Sequence, residues 1–349
     1  MTKPAHIAGK WRWVLLILFV GLLGMLLVNL SLGSVSIPFA DTVSFLTGRL
    51  SDDEKYYLIL DKFRLPKALT SLLVGGALGV SGLQMQTLFR NPLAGPYILG
   101  ISSGAGLGVA LAIFLGFYFG GFIELSGIGR SWLLVVASAL GSLAVLLIIV
   151  LASSRLRDSV SLLIIGLMFG AASSALVSIL QFFSQAENIQ AYVIWSFGSL
   201  GSLSWTELSV FVPLLMIGLL GAILLSKPLN ALLVGESYAI SLGLNIKLTR
   251  FLIIINTAVL AGTVTAFCGP IAFFGIAMPH VARMLFNTTN HLLLTPLIVL
   301  VGGILMLAFD TIAQLPGMEA TLPINAVTAL FGAPFVIYLL LKKKSVNFS

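Results

Sequence analysis

Long runs of apolar residues, separated by short polar or charged segments, cover most of this chain. A helix that crosses a membrane needs about 20 mainly apolar residues, and ten runs approach or exceed that length. They are residues 11–30, 65–88, 97–119, 131–152, 160–183, 204–226, 249–268, 270–288, 292–312 and 323–341. The pattern predicts an all-α membrane protein with ten transmembrane helices. We expect a single polytopic domain over 1–349, with its membrane core at 11–341.

The composition supports this prediction without any motif. Of 349 residues, 58% are hydrophobic and only 9% are charged, with a mean hydropathy of +1.09. A soluble domain carries about 25% charged residues, so the composition excludes a water-soluble enzyme of this length.

The charged residues predict the orientation of the chain. Lys and Arg outnumber Asp and Glu by 19 to 12, and in a membrane protein such an excess indicates basic cytoplasmic loops rather than a nucleic-acid partner. Basic and acidic segments alternate between the ten runs, which predicts that both termini are cytoplasmic. The basic segments hold Lys3, Lys10, Arg12, Arg90, Arg155, Arg157, Lys227, Lys247, Arg250, Arg283 and 342–344, and the acidic ones hold 52–54, Glu124, Glu187, Glu207 and Glu319.

Two connecting segments are longer than a simple loop needs. The inner one, 227–249, has apolar residues at helical spacing in stretches too short to span a membrane, with Gly235 and Gly243 as helix stops. It predicts two short amphipathic helices, which could dock a partner or lie flat on the inner leaflet. The outer one, 33–64, could begin with a short interfacial helix near Pro38.

A second irregular region follows the second apolar run. Asn91-Pro92 and Gly95-Pro96 interrupt the helical pattern, and broken backbone at membrane depth is tolerated only inside protein or along an aqueous cavity. Ser102, Ser103 and Gly104 come next. They either line a translocation path or simply let two helices touch. Gly269, Pro270 and Pro279 leave the boundary between the seventh and eighth runs equally undefined.

Few ionisable residues lie in or beside the runs, and their types do not suggest catalysis. They are Arg64, Lys67, His280, Arg283, His291 and Asp310. The sequence has no metal-binding His/carboxylate motif, no serine–histidine–aspartate set on facing runs and no phosphate loop with its lysine. We expect His280 to be a hydrogen-bonded helix-start residue, Asp310 a helix-end carboxylate without a basic partner, and Cys268 a small packing residue.

Several motifs resemble those of one transporter family, in order from residue 64 to residue 341. The first half carries Arg64-Leu-Pro-Lys67, Gly75-Gly-Ala-Leu78, Gln86, Arg90-Asn-Pro-Leu-Ala94 and Leu99-Gly-Ile-Ser-Ser-Gly-Ala105. The second half carries Gly235-Glu-Ser-Tyr-Ala-Ile-Ser-Leu-Gly243, Gly269-Pro-Ile-Ala-Phe-Phe-Gly275, Pro279-His-Val-Ala-Arg283 and Gly332-Ala-Pro334. The chain resembles the permease family of ABC importers for ferric siderophores, haem and cobalamin, the membrane subunit of a type II importer.

The resemblance implies a set of partners. The chain would form a homodimer in the bacterial plasma (inner) membrane. It would bind a cytoplasmic ABC ATPase dimer, which holds the ATP and Mg²⁺, and would receive substrate from a periplasmic substrate-binding protein. The chain itself would bind no cofactor and no metal and would not be an enzyme.

The resemblance also implies residue roles. Gly235, Glu236, Ala239, Leu242 and Gly243 would form the coupling element on the ATPase. Arg64 and Lys67 would receive acidic residues of the binding protein. Asn91, Pro92, Ser102, Ser103 and Gly104 would line the path, and 159–161, including Ser159 and Ser161, would belong to the cytoplasmic gate.

Two questions stay open from the sequence. The family often has Arg four residues after the Asp of the ninth helix, and this chain has Gln314, so a second basic contact to the binding protein is in doubt. The chelate is also undetermined; family breadth favours a ferric siderophore, then haem, then cobalamin. The alternatives are an intramembrane enzyme and an ATP-independent secondary transporter.

Overall fold

The computed structural model describes residues 5–48, 54–116, 128–155, 159–314 and 321–341. All regular structure in these ranges is helical, as the apolar pattern predicts. The longer helices are α1 (Ala5–Ser31), α4 (Leu65–Leu88), α5 (Ile101–Gly116), α6 (Ile128–Arg155), α7 (Ser159–Phe182), α9 (Trp205–Leu224), α12 (Ile246–Cys268), α13 (Phe274–Phe286), α14 (His291–Ala313) and α15 (Ile324–Leu341). The shorter ones are α2 (Phe39–Leu46), α3 (Glu54–Ile59), α8 (Ala186–Ser196), α10 (Ser226–Val234) and α11 (Glu236–Ser241).

Each of the ten predicted runs overlaps one of the longer helices. Seven helical segments in the described ranges are long and apolar enough to cross a membrane, and α5, α13 and α15 are shorter apolar helices. The eleven-residue α8 was not predicted. Its polar residues Glu187, Asn188 and Gln190 break up the apolar pattern.

The helices surround α4 and α12. Most of the span that includes α4 (83%) and of α12 (72%) is buried within the chain, against 22% for the spans of α1 and α7. Small residues allow close approach: a Cβ on Gly302 of α14 would lie 2.5 Å from the carbonyl oxygen of Gly75 on α4. A side chain at either glycine would push these two helices apart, so glycine here serves packing, as the spacing predicts.

The eighth predicted run differs from its expected course. Residues 269–273 are irregular, with positive φ at Gly269 and Phe273, and α13 begins at Phe274. We expected the seventh run to end at 268, and α12 does end at Cys268. The eighth run was expected from 270, four residues before α13 begins, and Pro279 lies inside α13. Proline inside a helix removes one backbone hydrogen bond without necessarily ending the helix.

Candidate functional site

The inner loop folds into the two short helices that its pattern predicts. α10 and α11 meet at Gly235, whose φ of 151° and ψ of 150° lie in a region that is nearly exclusive to glycine. After α11, Gly243 adopts a φ of 80°, and the Leu244 amide donates to the Ala239 carbonyl. Both glycines therefore form sharp joints that a side chain would strain.

One side of this loop packs onto the bundle and the other presents apolar residues outward. Leu229 and Leu232 of α10 and Ala239 of α11 are buried. Exposed on the outer side are Val234, Tyr238, Ile240 and Leu242. Several exposed apolar residues on one short loop are typical of an interaction surface. Glu236 pairs with Arg250 at 3.2 Å.

At the opposite end of α4, Arg64 is buried rather than presented to a partner. Its guanidinium donates to the carbonyl oxygens of Leu30, Ser31 and Val35. These acceptors lie at or just beyond the C-terminus of α1, where unpaired carbonyls carry partial negative charge. In this structure Arg64 therefore caps α1, and its docking role stays a prediction.

Lys67 has a partner that the sequence did not indicate. Its Nζ lies 3.0 Å from Oδ1 of Asp310 on α14, and Oδ2 of the same carboxylate accepts from Asn29 at 2.9 Å and Gln314 at 2.8 Å. The expectation that Asp310 lacks a basic partner is wrong. Gln314, which stands where the family often has Arg, donates to the acid instead.

Lys67 and Asp310 also border a cavity of ≈ 480 Å³ at this end of the bundle. Its other walls come from the α8–α9 connection around Gly198 and from the backbone before α15 near Pro323. Lys67 is thus the more accessible of the two residues predicted to contact a binding protein.

A second cavity, of ≈ 350 Å³, is lined by hydroxyl groups between α5, α7 and α8. Ser102 and Ser103 lie in its wall, and their role in lining a translocation path stays a prediction. The lining residues are Ser102, Ser103, Gly106, Ser173, Ser174, Val177, Ser178, Gln181, Tyr192, Trp195, Ser196 and Pro270. None of these carries a formal charge, and burial raises the pKa of the Tyr192 phenol, which stays neutral.

The remaining predicted path residues have structural roles in this structure. A Cβ on Gly104 would lie 2.5 Å from the carbonyl oxygen of Gly141 on α6, so Gly104 is a helix contact. Asn91 Oδ1 accepts from the Leu93 amide and forms the turn after α4. The Pro92 carbonyl lies 2.7 Å from His280 Nε2, which confirms that His280 is hydrogen-bonded, although inside α13 rather than at its start.

Some predictions fall on residues that the structure does not describe. Ser159 begins α7 and Ser161 follows within it, but the side chain of Ser159 lies outside the described part, as do 52–53, Glu124, Arg157, Glu319 and 342–344. Within the described ranges, no group of three His, Cys, Asp or Glu residues could hold a metal ion. Cys268 is buried, as a packing residue should be.

The comparisons with known proteins agree on one family. Residues 17–342 match the FecCD transport family. The chain is 36% identical to the vitamin B12 import system permease protein BtuC of Klebsiella pneumoniae, over 99% of this chain and 98% of that protein. It is 38% identical to the protein of the same name from Salmonella typhi, over 82% and 84% of the two chains.

Solved structures give the same result. One, assigned to the metal-chelate type of ABC transporter and solved facing inward, aligns with a TM-score of 0.82 and 31% identity over 95% of this chain and 99% of its own. PsaBC from Streptococcus pneumoniae, in complex with Fab, shares only the fold, with a TM-score of 0.51 and 17% identity over 86% and 99%. The named relatives are permease subunits, which are transport components rather than enzymes. The chain, with its hinged surface loop at one end and its hydroxyl-lined cavity within, belongs to the FecCD transport family.

Proposed function

We propose that this chain is the membrane-spanning permease subunit of an ATP-driven importer that moves a metal chelate or corrinoid by alternating access. The α10–α11 loop is the observation that carries this proposal. It buries one side against the bundle and exposes Val234, Tyr238, Ile240 and Leu242 on the other. A separate ATPase dimer that binds ATP and Mg²⁺ would press on this surface, since the chain itself offers no phosphate loop.

The proposal includes ten membrane crossings with both termini in the cytoplasm of a bacterium, across its inner membrane. Seven long and three shorter apolar helices support the count. The alternation of basic and acidic loops supports the orientation. The α10–α11 loop then lies on the cytoplasmic side and Lys67 on the outer side, where it would meet an acidic side chain of a substrate-binding protein.

A second copy of the chain would complete the path. Within the described part of the chain, apolar residues of α7, among them Ile164, Leu167 and Met168, are exposed, as is Leu330 of α15. Such surfaces face either lipid or another subunit. We expect part of them to form a homodimer whose axis passes beside the hydroxyl-lined cavity.

Cobalamin is now the first substrate to test, ahead of a ferric siderophore and haem. The relatives at 36–38% identity are named for vitamin B12 import, which moves cobalamin from the last place, where family breadth put it, to the first. The serine-rich lining also offers neutral hydrogen-bonding groups, which suit a ligand rich in amides better than the two carboxylates of haem.

The deciding experiment measures uptake of radiolabelled cyanocobalamin, a ferric siderophore and haem in a strain that lacks this gene. We expect cobalamin uptake to fall and the intact gene to restore it, whereas a Gly235→Pro variant, which disrupts the α10–α11 joint, should not. Uptake that persists after removal of every ABC ATPase partner would contradict the proposal and favour a secondary transporter.

A further inference from the structure

A chain of buried and partly buried hydrogen bonds joins α10 to two helices of the bundle. Asn230 Oδ1 on α10 accepts from the backbone amide of His291 at 2.9 Å and lies 2.8 Å from His291 Nδ1. Nε2 of the same ring lies 2.9 Å from Thr87 Oγ1 on α4. Because His291 is the first residue of α14, one side chain ties α10, α14 and α4 together.

The chemistry of the donors fixes the direction of these bonds. An amide N–H can only donate, so the Asn230 atom that faces it must be the oxygen. Nδ1 then donates to this oxygen, and Nε2 of the neutral ring is left as an acceptor, which takes the single proton of the Thr87 hydroxyl. The Leu83 carbonyl, 3.0 Å from Thr87 Oγ1, is the alternative acceptor for that proton when the contact to His291 is broken. His291 and Thr87 are each only 1% exposed. Breaking such bonds would leave buried polar atoms unpaired, which is costly.

A second bond reinforces the attachment of α10. Arg90, in the turn after α4, donates from Nη2 to the Leu232 carbonyl of α10 at 3.0 Å. By contrast, the ion pair that joins α11 to α12 is partly solvated, because the side chain of Glu236 is 46% exposed although that of Arg250 is buried, and solvent weakens such a pair. If a partner displaces α11, the bonds of α10 would therefore be the main route by which this movement reaches the helices of the bundle.

The end of α4 passes this attachment on to a further helix. Gln86, beside Thr87, accepts from Arg283 at 2.8 Å and donates to the Ile276 carbonyl at 3.0 Å, and both partners belong to α13. Polar groups at this end of α4 thus bond to three other helices: α10, α13 and α14.

We propose that His291 is a positioning residue that, with Asn230 and Thr87, transmits movement of the α10–α11 loop to α4 and α14. The inference rests on the proposed function, because it assumes that an ATPase moves this loop. It predicts a loss of coupling between hydrolysis and transport rather than a loss of folding or of ATPase binding.

The chain offers matched variants for the test. Thr87→Val removes the hydroxyl and keeps the shape of the side chain, and Thr87→Ser restores a hydroxyl. Thr70→Val is the control: Thr70 is a buried threonine of the same helix whose hydroxyl donates to Pro66 at 2.8 Å, four residues back. His291→Asn keeps an N–H near the position of Nδ1 and loses the contact to Thr87.

The measurement is the number of ATP molecules hydrolysed per cyanocobalamin transported by the complete complex in proteoliposomes. We expect Thr87→Val and His291→Asn to raise this ratio by about three- to tenfold, the equivalent of one buried hydrogen bond. Thr87→Ser and Thr70→Val should stay within about twofold of the unchanged protein, and the basal hydrolysis rate of every variant should do the same.

Two results would overturn the inference: one contradicts this inference alone, and the other contradicts the proposed function as well. If Thr87→Val gives the same ratio as Thr70→Val while the unchanged complex transports normally, the bonds do not transmit movement and only this inference fails. If the unchanged complex neither retains an ATPase nor transports any of the three substrates, the proposed function fails, and the inference fails with it.

Discussion

At the scale of single residues, the pair between Lys67 and Asp310 makes the sharpest prediction. The carboxylate is 3% exposed and the lysine side chain 20%. Removing one partner of a buried pair leaves an uncompensated charge, which lowers the free energy of unfolding by about 3 kcal/mol. The loss is smaller here because Lys67 is partly solvated. We expect Asp310→Leu to lower the thermal unfolding temperature of the detergent-solubilised protein, and Lys67→Met with Asp310→Leu to recover most of the loss.

An exposed pair on the same side of the protein provides the control. Lys62 and Asp61 lie 3.2 Å apart with side chains 60% and 28% exposed. Lys62→Met should therefore leave the unfolding temperature unchanged within error. If the double variant were no more stable than Asp310→Leu alone, the loss would come from the hydrogen bonds of Asn29 and Gln314 and not from the ion pair.

The same pair shows what a sequence can reveal of single residues. Asp310 is visible as an acid in an apolar run, but its partner is far away in the chain. The two meet because α4 and α14 approach closely through Gly75 and Gly302. Residue type therefore identified the candidate, whereas helix packing, which periodicity does not encode, determined its role. Burial of Arg64 beneath the end of α1 was hidden for the same reason.

At the scale of elements, the joint between α10 and α11 should tolerate no side chain at Gly235. The nearest atom to a Cβ there would be Arg90 Nη2 at 3.4 Å, an ordinary contact, so the cost of Gly235→Ala is backbone strain of about 1–3 kcal/mol. We expect reduced uptake at normal membrane abundance, measured by transport and immunoblot. Gly24→Ala on α1, where a Cβ would meet nothing within 4 Å, should transport normally.

The exposed faces of α2 and α11 predict different surroundings. Phe39, Val43 and Leu46 form an exposed apolar stripe on α2, which indicates contact with lipid. A nitroxide spin label attached to Val43→Cys should collide more often with oxygen, which dissolves in lipid, than with a water-soluble nickel chelate. A spin label on Leu242→Cys, measured without the ATPase, should collide more often with the nickel chelate than with oxygen. Equal oxygen contact at both sites would mean that α11 lies on the inner leaflet.

Helices whose apolar residues form a long or regular pattern could be predicted from the sequence, whereas helices without such a pattern could not. Each of the ten apolar runs overlaps a helix, and the α10–α11 loop has the two short helices expected from its glycines. α8 was missed because eleven residues of mixed polarity give no clear period. The start of α4 was placed at 65, although helical structure begins at Glu54 and passes through a π-helical turn at 60–64, because the charges at Asp61, Lys62 and Arg64 interrupt the apolar run.

At the scale of the whole molecule, the proposed orientation places Lys62 outside the cell and Lys247 inside. Both are exposed, and the chain has one cysteine, Cys268, which is buried. Single cysteines at these positions in a Cys268→Ser background can therefore be labelled selectively. A membrane-impermeant maleimide should label Lys62→Cys in spheroplasts and Lys247→Cys only after the membrane is opened. The opposite result would turn the α10–α11 surface away from any cytoplasmic ATPase. The ten-helix topology places five membrane crossings between these two positions, so they lie on opposite sides. Labelling of both sites in intact spheroplasts would place them on the same side, and the ten-helix count would be wrong.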